Sequence, residues 1–147
     1  MRALVLAALL WGCDGDSASF IDGSAASSYD MDFDEVRIRL FSTEVAVEYV
    51  RKAGSGEELP LKLTVSFAED PIAAGQPIDL HPPSGTVNRV PNSPQLPELS
   101  DQESTITFET WSTEAGASIE GTFRVDFENG TGLNGAFSAD LERPLDE

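Results

Sequence analysis

The stretch "SIEGTFRVDFENGTGLNGAFSADLE", residues 118–142, carries the clearest pattern in the chain. Ile119, Gly121, Phe123, Val125 and Phe127 occupy every second position, and so do Leu133, Gly135, Phe137, Ala139 and Leu141. A period of two is the repeat of a strand with one buried face. Between the two runs lies "ENGTG", and Asn129-Gly130 is a dipeptide that favours tight hairpin turns. The reading is an antiparallel hairpin. Setting Phe127 opposite Leu133 would place Val125 against Gly135, Phe123 against Phe137 and Gly121 against Ala139. Glycines inside such runs mark bends or the close approach of another layer.

The same period extends toward the N-terminus. "LKLTVSF" alternates Leu61, Leu63, Val65 and Phe67 with Lys62, Thr64 and Ser66. Val45, Val47 and Tyr49 alternate with Glu44, Ala46 and Glu48, and Val36, Ile38 and Leu40 with Arg37 and Arg39. Before them, Tyr29, Met31 and Phe33 alternate with Asp30, Asp32 and Asp34, and the phase slips at Glu35, as at a bulge or turn. "STITFET" adds a strand through Ile106 and Phe108, and "KAGSGEELP" reads as a loop. Seven of the nine prolines fall between residues 71 and 97. Proline cannot donate to a sheet ladder, so that region is mostly loop or edge, with short strands at 77–80 and 85–90. No helix-length amphipathic segment competes. The expected fold is all-β: an antiparallel sandwich or flattened barrel of about seven or eight short strands over residues 29–147.

Composition limits the partners. The 147 residues allow one domain and a tail, and 40 % hydrophobic content is enough for a packed core. The net charge is −17 and the pI about 4.1. Lys and Arg are sparse and scattered, so nucleic acid is not an expected partner, because phosphate binding needs clustered cations. An acidic surface attracts basic partners and divalent cations.

Residues 1–12, "MRALVLAALLWG", join a single early cation, Arg2, to an apolar run too short to span a bilayer. They read as a signal peptide. Cys13, the one cysteine of the chain, follows at once in "LWGC", and acids begin at Asp14. Leu10-Trp11-Gly12-Cys13 resembles the lipobox of bacterial lipoproteins, with a tryptophan where that pattern usually has a small residue. The resemblance covers only these first thirteen residues. It implies a diacylglyceryl thioether on Cys13, cleavage after Gly12 and an acylated new amine. The other reading is a plain signal peptide with a leftover thiol. Two or three acyl chains hold far more firmly than one. Residues 13–28 are small and polar and read as a tether, spanning roughly 20 Å if fully flexible. Localisation is then extracytoplasmic, at the cell envelope, with the membrane itself as partner; which of two membranes is left open.

Four features bear on chemistry. Asp30, Asp32 and Asp34 superficially resemble a calcium loop, but Glu35 and Phe41 stand where an EF-hand needs glycine and glutamate. Their other reading is a charged strand face offset by Arg37 and Arg39. His81, the single histidine, sits in the proline turn "DLHPPSG" with no nucleophile motif around it, and one histidine gives no zinc set. Trp111 either stacks a sugar or anchors a partner, or folds over a strand end as a cap of the core. Asn129-Gly130-Thr131 has the glycosylation spacing and reads as a turn in a bacterial setting. No catalytic residue and no cofactor is assigned. The mature domain resembles small uncharacterised β-rich lipoproteins only in style. The functional expectation is a non-catalytic structural or protein-interaction role with an envelope partner. The alternative is a module for a small ligand, a carbohydrate or calcium, using loops 68–100 or the surroundings of Trp111.

Overall fold

The computed structural model describes residues 19–143. Nine strands and no helix make up this region: β1 (Phe20–Asp22), β2 (Glu35–Leu40), β3 (Glu44–Ala53), β4 (Gly56–Ser66), β5 (Pro77–Asp79), β6 (Gly85–Val90), β7 (Thr105–Thr110), β8 (Ser118–Asp126) and β9 (Gly132–Glu142). They form one sheet in the order β5-β7-β8-β9-β2-β3-β4-β6, with β1 attached to β9. The sheet curls into a nearly closed barrel. The all-β architecture thus stands, with nine strands in place of seven or eight.

One pairing departs from the antiparallel expectation. β1 runs antiparallel to β9 over Ala136–Asn134, and β2 runs parallel to it at Ile38–Leu141 and Arg39–Glu142. Both strands therefore share the same edge of β9. A single connection at one end of the barrel joins β1 to β2, so they must point in opposite directions, and one of them is necessarily parallel. The ordered domain consequently starts before residue 29. Asp22–Phe20 is wall, Ala25 is fully buried, and its N–H donates to the Gly132 carbonyl at 3.0 Å. The expected tether of residues 13–28 gives up residues 20–28 to the barrel.

The central hairpin keeps the expected faces but not the expected register. Val125 faces Leu133, Phe123 faces Gly135, Gly121 faces Phe137 and Ile119 faces Ala139. The turn decides this. Gly130 N–H donates to Phe127 O (3.1 Å), Phe127 N–H donates to Thr131 O (2.9 Å), and Gly130 has φ +84°. A type I turn closed by a left-handed glycine uses three loop residues, two fewer than the five of "ENGTG". A shift of two residues preserves side-chain parity. Each large ring now lies across from a glycine. A Cβ on Gly121 would overlap Phe137 and the Thr107 carbonyl, and one on Gly135 would overlap Phe123 and the Phe20 carbonyl.

Residues 52–60, read above as loop, instead belong mostly to a hairpin. Gly54 (φ +61°) and Ser55 turn the chain, and Arg51 and Lys52 pair in register with Glu58 and Glu57. Arg51 Nη2 meets Glu58 Oε2 at 2.6 Å. Residues 29–34 are not a strand. Asp30 has φ +48°, and the segment crosses one barrel end with Met31 buried and Tyr29 and Phe33 packed on the core. The alternation of burial is real, but it belongs to a plug without ladder partners.

Core side chains come from every long strand: Ile38 and Leu40, Val45, Val47 and Tyr49, Leu61 and Leu63, Ile106 and Phe108, Phe123 and Phe137. Tyr49 joins the layers. Its ring meets Phe33 and Phe123 edge-on at 4.8 and 5.9 Å, and its hydroxyl donates to the Ala136 carbonyl at 2.7 Å. Burial drives the Tyr49 phenol well above its ordinary pKa, so it remains a donor.

Candidate functional site

Among the described residues the main path of the sheet ends at β5 and β6, and these two strands are consecutive in the chain. Residues 80–84 join them. They touch where Gly85 leaves the turn: a Cβ there would come within 2.9 Å of the Leu80 Cα and 3.1 Å of the Asp79 carbonyl. Beyond that contact the walls part. A slot of about 460 Å³ opens between β6, at Thr86–Asn88, and the returning segment at Leu96–Leu99. Leu80, Val87, Leu96 and Leu99 give it an apolar lining, with His81 and Glu98 at its polar margin. Its size and apolar character fall within the range of ligand pockets.

The far wall of the slot is fixed from behind. Ser100 N–H donates to Asp126 O (2.9 Å), Glu128 N–H donates to Glu98 O (2.9 Å), and Leu99 bridges Phe127. His81 fixes the mouth. Its Nδ1 lies 2.7 Å from Asp79 Oδ1 and its Nε2 lies 2.9 Å from the Ser100 carbonyl. The Asp79 carboxylate, and then the Ser100 carbonyl, favour the imidazolium and raise the His81 pKa from 6.5. In return the His81 N–H and ring hold the Asp79 carboxyl below 3.8. This histidine is a clamp between two turns, with both ring nitrogens engaged.

The other sequence-derived candidates land elsewhere. Gly12 and Cys13 lie outside the described residues. The carboxylates of Asp30, Asp32 and Asp34 do not converge: Asp30 pairs with Arg51 (3.1 Å), and Asp34 Oδ2 accepts from Lys52 N–H (2.7 Å). Arg51 also donates to the Asp30 and Asp32 carbonyls. Arg51, and not Arg37 or Arg39, offsets this acidic segment. Among the described residues no group of three or more metal-ligating side chains is placed to hold an ion, so the calcium alternative loses its site at these three aspartates. Trp111 is half-buried, 5.0 Å from Phe108 and 6.4 Å from Phe67 in edge-on contacts. A register shift at Glu109 reverses the strand's parity and turns Trp111 to the Phe108 side. It packs against the core and does not line the slot. Asn129 accepts from Thr131 N–H at 3.0 Å and from its hydroxyl at 2.6 Å, which is turn chemistry.

No known protein family matches this sequence, and neither any curated protein nor any solved structure is significantly similar to it.

Two buried charges escaped the sequence reading. Glu48 faces outward from β3 yet is 0 % exposed. Arg37 Nε and Arg39 Nη2 donate to it at 2.8 and 2.7 Å, and Lys62 Nζ stands 3.9 Å away. Arg89 faces inward from β6, is 6 % exposed, and lies over the Tyr29 ring at 6.0 Å, with Nε and Nη1 unpartnered. Parity alone pointed to Arg89, which shares a face with Gly85 and Val87. Nothing in the sequence distinguishes Glu48 from the exposed glutamates.

Proposed function

We propose that this protein is a lipid-anchored module of the bacterial cell envelope that acts by binding another protein and not by catalysis. The anchor reading rests on "LWGC" at residues 10–13, behind a cation and an apolar run. Wall begins at Phe20, seven residues beyond Cys13, so acyl chains on that cysteine would hold the barrel close to the headgroups. The observation that carries the binding role is the parted seam: a barrel with one edge strand free along an apolar slot. His81 and the aspartates near it serve as turn clamps in this reading.

The membrane part is tested by flotation with phospholipid vesicles, comparing wild type with Cys13→Ser after expression in a bacterial host. Wild type should float, the variant should stay in the soluble fraction, and mass spectrometry should find a diacylglyceryl adduct on Cys13. An unmodified sulfur on a floating protein would overturn the anchor. The binding role is tested by crosslinking in intact envelopes and recovery of the adduct. One protein captured in a constant ratio supports it, and recovery of the uncrosslinked chain alone refutes it. The volume of the slot favours a second reading, a small apolar ligand in place of a protein segment.

A further inference from the structure

The slot has a wall made of main chain. β6 pairs with β4 and with no other strand among the described residues. Its second edge presents the N–H and C=O of Val87, because Thr86 and Asn88 turn theirs toward Thr64 and Lys62 of β4, and that edge runs beside the apolar lining of Leu80, Val87, Leu96 and Leu99. A small apolar ligand would use the lining and leave those groups unmatched. An extended peptide uses both: its backbone pairs with the edge, and every second side chain turns toward the lining. We propose that the seam of the barrel is a strand-addition site for an extended, basic, apolar-alternating segment of a partner protein. This rests on the protein-binding role proposed above.

Charge selects the sign of the partner. Glu98 lines the slot, and Asp79, Asp101 and Glu103 lie around the adjoining hollow beside His81. The chain as a whole carries −17. The outward positions of β6 are Thr86, Asn88 and Val90, all exposed and uncharged, with Val90 48 % exposed. Edge strands are commonly guarded by outward lysines, and this one has none. Its guards stand at the far end, where Arg89 turns inward and Pro91 stops the ladder. Pairing is thus confined to the stretch that borders the slot. Placement agrees. The described chain enters at Ser19, whose hydroxyl accepts from Ser138 N–H, and ends beyond β9. β9 lies mid-sheet, three strands from β5 and four from β6, so an anchor before Ser19 leaves the seam on the opposite side, facing outward.

The test uses the full chain in mild detergent and two fluorescent peptides about eight residues long, somewhat beyond the reach of β6. One alternates lysine with valine, the other glutamate with valine. Anisotropy should show the lysine peptide binding roughly a hundred-fold more tightly at low salt, and the difference should shrink as salt rises. Hydrogen exchange should slow at the Val87 amide when it binds. N-methylation of alternate residues along the pairing edge should abolish binding. The double variant Thr86→Lys, Asn88→Lys alters only exposed side chains, and it should weaken the lysine peptide roughly ten-fold or more with an unchanged urea midpoint. Equal affinity for both peptides, or protection elsewhere in the barrel, would overturn the proposal. So would displacement of neither peptide by the other while anilinonaphthalene sulfonate fills the slot, which would mark a small-molecule pocket. Concentration-dependent protection of the Val87 amide without peptide would instead assign the edge to a second copy of this chain. If envelope crosslinking captures a partner but maps it away from β6, this site fails while the binding role stands.

Discussion

Glu48 sits beneath Arg37, Arg39 and Lys62 on the outside of the barrel, and its two short hydrogen bonds make it the hub of that face. Removing one member of a buried charge cluster strands the others. Glu48→Ala should lower the unfolding free energy by about 3 kcal/mol, the lower end for such losses, because both arginines keep partial contact with water. Urea titration would measure it, and a change below about 1 kcal/mol would show that the cluster behaves as a surface pair. Arg89 predicts the opposite sign. Its Nε and Nη1 are buried without acceptors, and methionine matches its length without that desolvation. Arg89→Met should raise stability by about 1–3 kcal/mol. His81 gives a pH signature. Its pKa in the fold lies above 6.5, so its pairing stabilises fully below 6.5 and fades as pH rises through the folded value. The Asp79 contribution is present above 3.8 and fades as pH falls through its lower folded value. Asp101 also faces the imidazole and acts in the same direction. The stability gap between wild type and His81→Gln should therefore be widest between 3.8 and 6.5 and narrower at pH 8, as thermal melts across that range would show.

At the scale of the element, the β8–β9 hairpin separates what a sequence displays from what it conceals. The two faces were legible because polar and apolar residues alternate for nine positions without a break in β8. The pairing register was not, because it hangs on the backbone geometry of three turn residues. That register explains Gly121 and Gly135 as ring recesses. Gly121→Ala and Gly135→Ala should each destabilise by about 3 kcal/mol, because the methyl meets backbone carbonyl as well as ring. Trimming Phe137 to leucine should restore only part of the first loss, which a double-mutant cycle would resolve. The Tyr29–Asp34 segment shows the converse. It has a strand's burial pattern because it lies flat over the barrel end, and only the left-handed Asp30 and the missing ladder reveal the difference. The slot was legible only as a proline-rich stretch, since its walls meet through contacts across the whole fold.

For the whole molecule, sheet order matters more than any single contact. The parted seam lies between strands adjacent in sequence, and the two hairpin runs β2-β3-β4 and β7-β8-β9 are joined between segments far apart: Phe20 lies against Ala136, and Ile38 against Leu141. Such long-range pairing slows folding. β9 is the last strand of the described chain, and it contacts β1, β2 and β8 at once. A polypeptide threading head-first through a narrow conduit would thus have no keystone to close upon until its final segment emerged. Order of synthesis and order of closure are thereby linked, since the strands on either side of β9 share no partner until it arrives.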